Sequence, residues 1–257
     1  MGDIVENLDE LEEYEDEMDV VPEVVAIEKL SVIMPVYNEE TTVAEAIDCS
    51  LSVDIGDVDI ELIVVNDGSN DGTRAILDSM DGTRPNMRIV HHDGNRGKGA
   101  AIRTGLPLAT GTMVIIEDAD LELDPNEYID LITPIIDGRA DVVFGSRFRG
   151  TIENMRWANR LANRILSFVA SILYRTWITD EATCYKVTRT EVLRSLDLQC
   201  TGFEFCSEVT AKVLRNGYRY MEIPVYYRGR EVHHGKKIRA WDGMDAIFTL
   251  IKYRFVK

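Results

Sequence analysis

Long apolar runs are missing from this 257-residue chain. No stretch approaches the ~20 apolar residues a membrane-spanning helix needs, and no apolar signal-peptide core follows Met1. The expectation is a protein made and kept in the cytosol, with the cytoplasmic membrane face still open to it. Cysteine is sparse: Cys49, Cys184, Cys200 and Cys206 show no C-x-x-C spacing and no dense framework, so reduced structural thiols are expected. The pairs His91-His92 and His233-His234 lack ligand partners at motif spacing, which argues against zinc. Bases are absent from residues 1–28, which hold 12 of the 45 acids; removing those leaves 33 acids against 28 bases, so the net charge of −17 falls to −5 for the rest. An acid-rich leader with few aromatics reads as a disordered, solubilising tail. Adaptation to salt or acid would instead spread acids over the whole surface. Residues 205–257 carry 11 Lys/Arg against 5 Asp/Glu, a balance that suits an anionic partner such as a phosphate or a lipid head group. No nucleic-acid partner is expected, and no motif speaks to oligomeric state.

What is present centres on Ile115-Ile116-Glu117-Asp118-Ala119-Asp120-Leu121-Glu122. An apolar run ending abruptly in acids is how a buried parallel strand delivers carboxylates to the sheet edge where open α/β folds bind ligands. Hard oxygen donors of this kind suit Mg²⁺ or Mn²⁺ that already carries substrate phosphates. Taken alone, a D-x-D is more often a solvated strand end.

Strands are expected at 30–36, 60–65, 87–90, 113–116 and 142–144, alternating with helices near 41–51, after Asn70-Asp71-Gly72-Thr73, from 95–99 to about 109, and from Asp124-Pro125. Thr41 or Asn38 is a candidate cap for the first helix. This alternation predicts an α/β fold with a Rossmann-like, mostly parallel central sheet flanked by helices. The organisation expected is a tail over 1–28, a nucleotide-binding half over 29–145 and a second half over 146–257. In the second half a helix over 156–175 sets Trp157, Leu161, Ile165, Phe168 and Ile172 at helical spacing beside an Arg156, Arg160, Arg164 row. Such a helix lies either on a membrane interface or in the core with its basic face solvated. The closing helix, 240–255, poses the same choice for Met244, Ile247, Phe248, Ile251 and Phe255. Between them come a helix near 205–215, a strand near 220–226 and a basic loop over 228–239.

Six segments, "SVIMPVYNEE", "VVNDGSNDGT", "GNRGKGAAIRTGL", "EDADLE", "VVFGSRF" and "GFEF…GYRYMEIPV", occur in one order across roughly residues 30–230. In this order and spacing the chain resembles family 2 of the inverting glycosyltransferases, whose fold is called GT-A. Within that family it looks most like the dolichyl- and polyprenyl-phosphate hexosyltransferases. The resemblance implies that Pro35, Tyr37 and Glu39 hold the base and ribose of a nucleotide-sugar, with Asn38, Gly68 and Ala119 in the same site. It implies that Asp67 accepts from the base N–H; read alone, Asp67 is equally a loop acid capping the next helix. Lys98, at a helix start, is expected to meet phosphate with the free backbone N–H groups there. Asp118 and Asp120 are the implied metal ligands, and Glu122 stands where many relatives carry Gln, which leaves its ligand role open.

On the acceptor side the resemblance implies Ser146 and Arg147, the latter as a guanidinium able to grip an acceptor phosphate in bidentate fashion. Asp180 is the first candidate for a general base and Glu204 the second. A phosphate acceptor is already largely ionised at neutral pH, so Asp180 orients rather than deprotonates under that reading. Its plain structural role would be a helix-end cap, and Cys184 replaces the family's usual Gly. Arg228, Arg230, His234, Lys236 and Lys237 belong to a basic stretch that closes over the diphosphate in relatives. The implied activity is transfer of a hexose from a UDP- or GDP-sugar to a polyprenyl phosphate, with Mn²⁺ or Mg²⁺ as cofactor. Alternatives are a soluble glycan or metabolite acceptor, a nucleotidyltransferase, or a silent nucleotide-sugar-binding protein. A nucleotidyltransferase should carry a Gly-rich loop with Arg and Lys after the first strand, where this chain has Tyr37-Asn38-Glu39-Glu40.

Overall fold

The computed structural model describes residues 29–230 and 240–256. The acidic leader, and His234, Lys236 and Lys237, lie outside the described residues. The strands are β1 (Lys29–Val36), β2 (Asp59–Asn66), β3 (Met87–His91), β4 (Met113–Ile116), β5 (Val142–Ser146), β6 (Ile152–Glu153), β7 (Lys186–Arg189), β8 (Tyr220–Pro224) and β9 (Tyr227–Arg228). The helices are α1 (Val43–Ser52), α2 (Thr73–Met80), α3 (Lys98–Gly105), α4 (Tyr128–Ile136), α5 (Trp157–Tyr174), α6 (Thr190–Ser195), α7 (Phe205–Arg215) and α8 (Ala240–Phe255).

One seven-stranded sheet runs β3-β2-β1-β4-β7-β5-β8, and a small second sheet pairs β6 with β9. Neighbours in the large sheet are parallel except β7, which is antiparallel to both β4 and β5. Successive residues feed opposite layers, as strand alternation requires. Leu62 and Val64 of β2, and Met113 and Ile115 of β4, enter the layer that also holds residues of α1 and α4. Ile63, Val65, Val114 and Ile116 enter the layer with α3, α6 and α7. With both faces covered, these strands read as continuous apolar runs.

The expected α/β sheet is therefore present, with three departures. The first is β7 with α6, short elements that no long periodic run announces. Because β7 runs backwards, its first residue lies at the carboxyl edge of the parallel strands, Lys186 opposite Phe144. That insertion carries the preceding loop, 179–185, between the ends of β4 and β5. The two expected halves, 29–145 and 146–257, thus share one sheet. The second departure is at the first helix, where Thr42 takes the N-terminal position without a capping bond to the helix. Its hydroxyl donates to Glu39 Oε2 at 3.0 Å. Asn38, at φ 52°, accepts from Asn70 N instead.

The third departure concerns the apolar rows of α5 and α8. These helices bury a different row, Leu166, Ala170 and Tyr174 against Ala246, Leu250 and Tyr253, in a cluster shared with α7. Trp157 (77%), Phe168 (64%), Phe248 (66%) and Phe255 (77%) stay exposed. Of the α8 residues at issue, Ile247 packs on that cluster. No described helix is long and apolar enough to cross a membrane.

Candidate active site

Four strand ends and one strap build the site. Past β1, the 37–40 turn is tied to the turn past β2: Asn38 N donates to Ser69 Oγ at 2.9 Å and Glu39 N to Thr73 Oγ1 at 2.8 Å. Pro35 and Tyr37 are half-buried beside them. Gly68 is required where it stands: at φ +67° a Cβ would lie 2.3 Å from the Gly94 carbonyl carbon. Asp67 is buried, and both oxygens are engaged within the chain. Oδ1 accepts from Arg96 N at 2.9 Å and lies 2.8 Å from His92 Nδ1, while Oδ2 accepts from Gly97 N at 2.8 Å. In the structure Asp67 holds the 92–97 loop against the end of β2; helix capping is not its role.

That loop leads into Lys98. The expected free N–H groups at the start of α3 are not free: Gly99 N donates to Gly202 O at 3.2 Å and Ala100 N to Thr201 O at 3.0 Å. The cause is close packing of the 200–202 loop, which a Cβ at Gly97 would meet at 2.3 Å from Thr201 O. The cation at this helix start is the Lys98 side chain, whose Nζ lies 2.6 Å from Asp118 Oδ1 and 2.7 Å from Oδ2. Burial works against both charges. The pair more than offsets it, raising the Lys98 pKa and lowering that of Asp118.

Strand β4 ends at Ile116, so strand alternation no longer governs Asp118 and Asp120, and Leu121 at φ 58° turns the chain. Asp120 pairs with Arg230 Nη2 at 3.0 Å, and the same guanidinium grips Glu39 with two bonds of 2.9 Å. Glu122 turns elsewhere: Oε2 accepts from Tyr227 OH at 2.7 Å and Oε1 from Arg230 N at 3.0 Å. It anchors the 227–230 strap over the acidic loop. Arg228 faces away, 3.6 Å from Glu153 across the small sheet, in an exposed pair.

A divalent cation fits Asp118 and Asp120. Their side chains are 28% and 22% exposed, and each has drawn a cation of the chain itself, so the loop gathers negative charge where hard oxygen donors are needed. Ala119 is buried between them. Among the described residues no group of three His, Cys, Asp or Glu converges at ligand distances. Two carboxylates completed by substrate phosphates are a usual set for Mg²⁺.

The edge that bears Arg147 is built differently. Arg147 donates to Asp180 from Nε (2.7 Å), Nη2 (2.8 Å) and its backbone N (2.9 Å). Asp180 is fully buried. Burial opposes the Arg147 charge and Asp180 more than restores it, so the guanidinium pKa is raised. Its plane lies over the Tyr227 ring at 5.3 Å. Glu222 fixes the loop from below, accepting from Thr179 N at 2.8 Å and Asp180 N at 3.1 Å, and Ser146 Oγ meets Thr179 Oγ1 at 2.6 Å. Glu204 sits outside this cluster, its Oε1 accepting from Gly202 N at 3.0 Å.

A family model for glycosyl transferase family 2 matches residues 31–197. The chain belongs to glycosyl transferase family 2. The polyprenol monophosphomannose synthase of Mycolicibacterium smegmatis is 30% identical over 215 residues, 78% of either chain. The UDP-N-acetylglucosamine–dolichyl-phosphate N-acetylglucosaminyltransferase of Methanococcus voltae is 26% identical, over 88% of this chain and 96% of its own. Among solved structures, glucosyl-3-phosphoglycerate synthase from Mycobacterium tuberculosis, bound to Mn²⁺, UDP and phosphoglyceric acid, superposes with a TM-score of 0.65. Its identity is 22%, covering 90% of this chain and 80% of that one. The fold is thus GT-A, and the protein is a glycosyltransferase, which removes the nucleotidyltransferase and silent-binder readings.

Within this family 2 site three groups take places that the sequence did not give them. Glu117 is buried with Tyr128 OH 2.7 Å from its Oε2, and burial pushes its pKa up to about 8. It stands in the quoted acidic motif, but nothing in sequence says it turns inward. Cys184, beside Asp118, is raised well above the ordinary thiol range by burial and then by Asp118, so it is an inert wall. Tyr227 links Glu122 to Arg147, and no spacing announces it.

Proposed function

We propose that this protein is a metal-dependent inverting glycosyltransferase that moves a hexose from a UDP- or GDP-sugar to a polyprenyl phosphate at the cytoplasmic membrane face. The observation that carries this reading is the shared sheet edge that bears Asp118 and Asp120, each beside its own cation, together with an Arg147 held charged by Asp180. Both sequence relatives support the acceptor, being named for polyprenol or dolichyl phosphate.

Asp118 and Asp120 would hold Mn²⁺ or Mg²⁺, which when bound neutralises a departing diphosphate. Pro35, Tyr37, Asn38, Glu39, Gly68 and Ala119 line the base and ribose, with Asp67 holding the loop beside them. Lys98 and Arg230, the counter-charges of Asp118 and Asp120, turn to the diphosphate when donor binds. Arg147 spends one edge on Asp180 and offers the Nη1 edge to the acceptor phosphate. Such a phosphate, with a second pKa near ~6, needs little help to attack. Asp180 therefore orients Arg147 rather than taking a proton.

The test is release of nucleoside diphosphate from UDP- and GDP-sugars with Mn²⁺ or Mg²⁺, with and without a short polyprenyl phosphate. Release that requires the lipid phosphate is expected. Donor turnover indifferent to the lipid moves the acceptor to a soluble hydroxyl, and no turnover with any donor overturns the reading.

A further inference from the structure

The outer face of α5 and α8 is unlike the rest of the surface. Phe168 and Ile172 stand two residues from the buried Leu166 and Ala170, about 200° around a helix of 3.6 residues per turn. They point directly away from the core, and Leu161 and Ile165 continue the row with 53% and 48% exposure. The same offset separates Phe248 from the buried Ala246 and Leu250 on α8. The helices pack on each other and on α7, and Tyr174 OH donates to Leu250 O at 2.7 Å. Both outward rows therefore face away from the cluster that the two helices share with α7. A monomer in water gains nothing from an exposed apolar patch of this extent.

Charge selects the occupant. In a chain of net charge −17, α5 contains no acid; its only ionised side chains are Arg160 and Arg164, with Arg156 and Arg175 at its ends. Arg164 packs 4.6 Å from the ring of Phe148, the neighbour of Arg147, so the basic edge of the face borders the acceptor side of the site. Trp157 and Trp177, 77% and 82% exposed, mark the two ends, as aromatics do at a bilayer interface. On α8, Asp242 and Asp245 stand at the start and Lys252 and Arg254 in the last turn, so the acid-free part of the face is the arginine row of α5, which suits anionic head groups.

We propose that the α5–α8 face docks flat on a bilayer containing anionic lipid, apolar rows in the acyl boundary and arginines at the head groups. This deepens the lipid-acceptor reading and rests on it for its biological purpose. Its test is separate, because the assay contains neither donor nor acceptor. The full chain is sedimented with vesicles of phosphatidylcholine alone and of phosphatidylcholine mixed equally with phosphatidylglycerol. Retention on mixed vesicles, weaker retention on neutral ones and none without vesicles are expected. The double variant F168S/F248S should bind mixed vesicles at least about tenfold more weakly. R160E/R164E should lose about tenfold, a difference that raised salt erases. All four positions are exposed, and circular dichroism checks that the fold is kept. Wild-type protein that stays in the supernatant, or F168S/F248S retained as well as wild type, overturns the proposal. So does a vesicle-free dimer that F168S/F248S dissociates in a protein that ignores vesicles, since the occupant is then a second copy. Turnover of detergent-dispersed acceptor is expected unchanged in F168S/F248S, so failure of docking and failure of the transferase reading are told apart.

Discussion

The two ends of the site carry the same chemistry, a carboxylate against a cation, in opposite states. At the donor end Asp118 and Asp120 are partly exposed, and their partners Lys98 and Arg230 come from a helix start and a strap. At the acceptor end Asp180 is sealed, and three N–H groups of Arg147 fill it. A pair whose carboxylate keeps some solvent exchanges partners more cheaply than a sealed one, which broken on one side leaves an uncompensated charge. Under the proposed function the donor end trades its cations for others, and the acceptor end holds a guanidinium still. Asp120→Asn should test the first half of that contrast most strongly. Metal-dependent turnover is expected to fall about 10²- to 10³-fold. Arg230 keeps its two bonds to Glu39, so unfolding stability should change by less than about 1 kcal/mol. Near-normal turnover would remove Asp120 from the metal site.

Asp180→Ala should show the opposite pattern. It strands a guanidinium that is 11% exposed, at a cost of about 3 to 4 kcal/mol in urea unfolding. A loss no larger than that of the donor-end variant would erase the distinction between the two ends. Asp180→Asn then separates orientation from proton transfer: an orienting Asp180 raises acceptor KM, whereas a base lowers kcat with a shifted pH profile.

Legibility in the sequence follows the same division. The donor edge is carried by long apolar runs that stop in Asn66-Asp67, Val36-Tyr37 and Ile116-Glu117, and burial on both sheet faces makes such strands visible. The acceptor edge depends on β7, four residues too short to show a period, whose reversed direction places Asp180 beside Arg147. The residue types Arg147 and Asp180 were readable, but their mutual bond was not, because 33 positions separate them. Glu122 illustrates a third limit: a carboxylate in a metal motif looks like a ligand until a distant tyrosine, Tyr227, takes it. On α5 the helical period was plain, yet two apolar rows share that helix, and a period does not say which one the core takes.

A smaller effect sharpens the acceptor end. Arg147→Lys is preferable to Arg147→Ala, because alanine would leave Asp180 buried without a cation. Lysine keeps the charge and gives up the planar fork. Acceptor KM should rise about tenfold while donor KM stays within about twofold. Equal changes in both would show that Arg147 serves the site as a whole rather than the acceptor phosphate.

The smallest expected effect concerns the joint between the ends. Glu127, past the acidic loop, accepts from Tyr226 N at 2.7 Å and so ties down the strap that bears Tyr227 and Arg230. Its second oxygen is buried with no partner among the described residues, and burial pushes its pKa up from 4.5 to about 7. An acid whose pKa is raised on folding holds its proton more tightly in the folded chain. Its contribution is therefore fully present below pH 4.5 and is lost as pH rises to about 7. Glu127→Gln keeps the acceptor for Tyr226 N and removes the titration. Urea midpoints at about pH 5 and pH 8 should show wild type losing roughly 1 kcal/mol relative to the variant, after allowance for solvent at a half-buried site. Parallel pH dependence in the two proteins would mean that the strap is not held through a titrating carboxyl, and that the donor and acceptor ends are joined by Glu122 and Tyr227 alone.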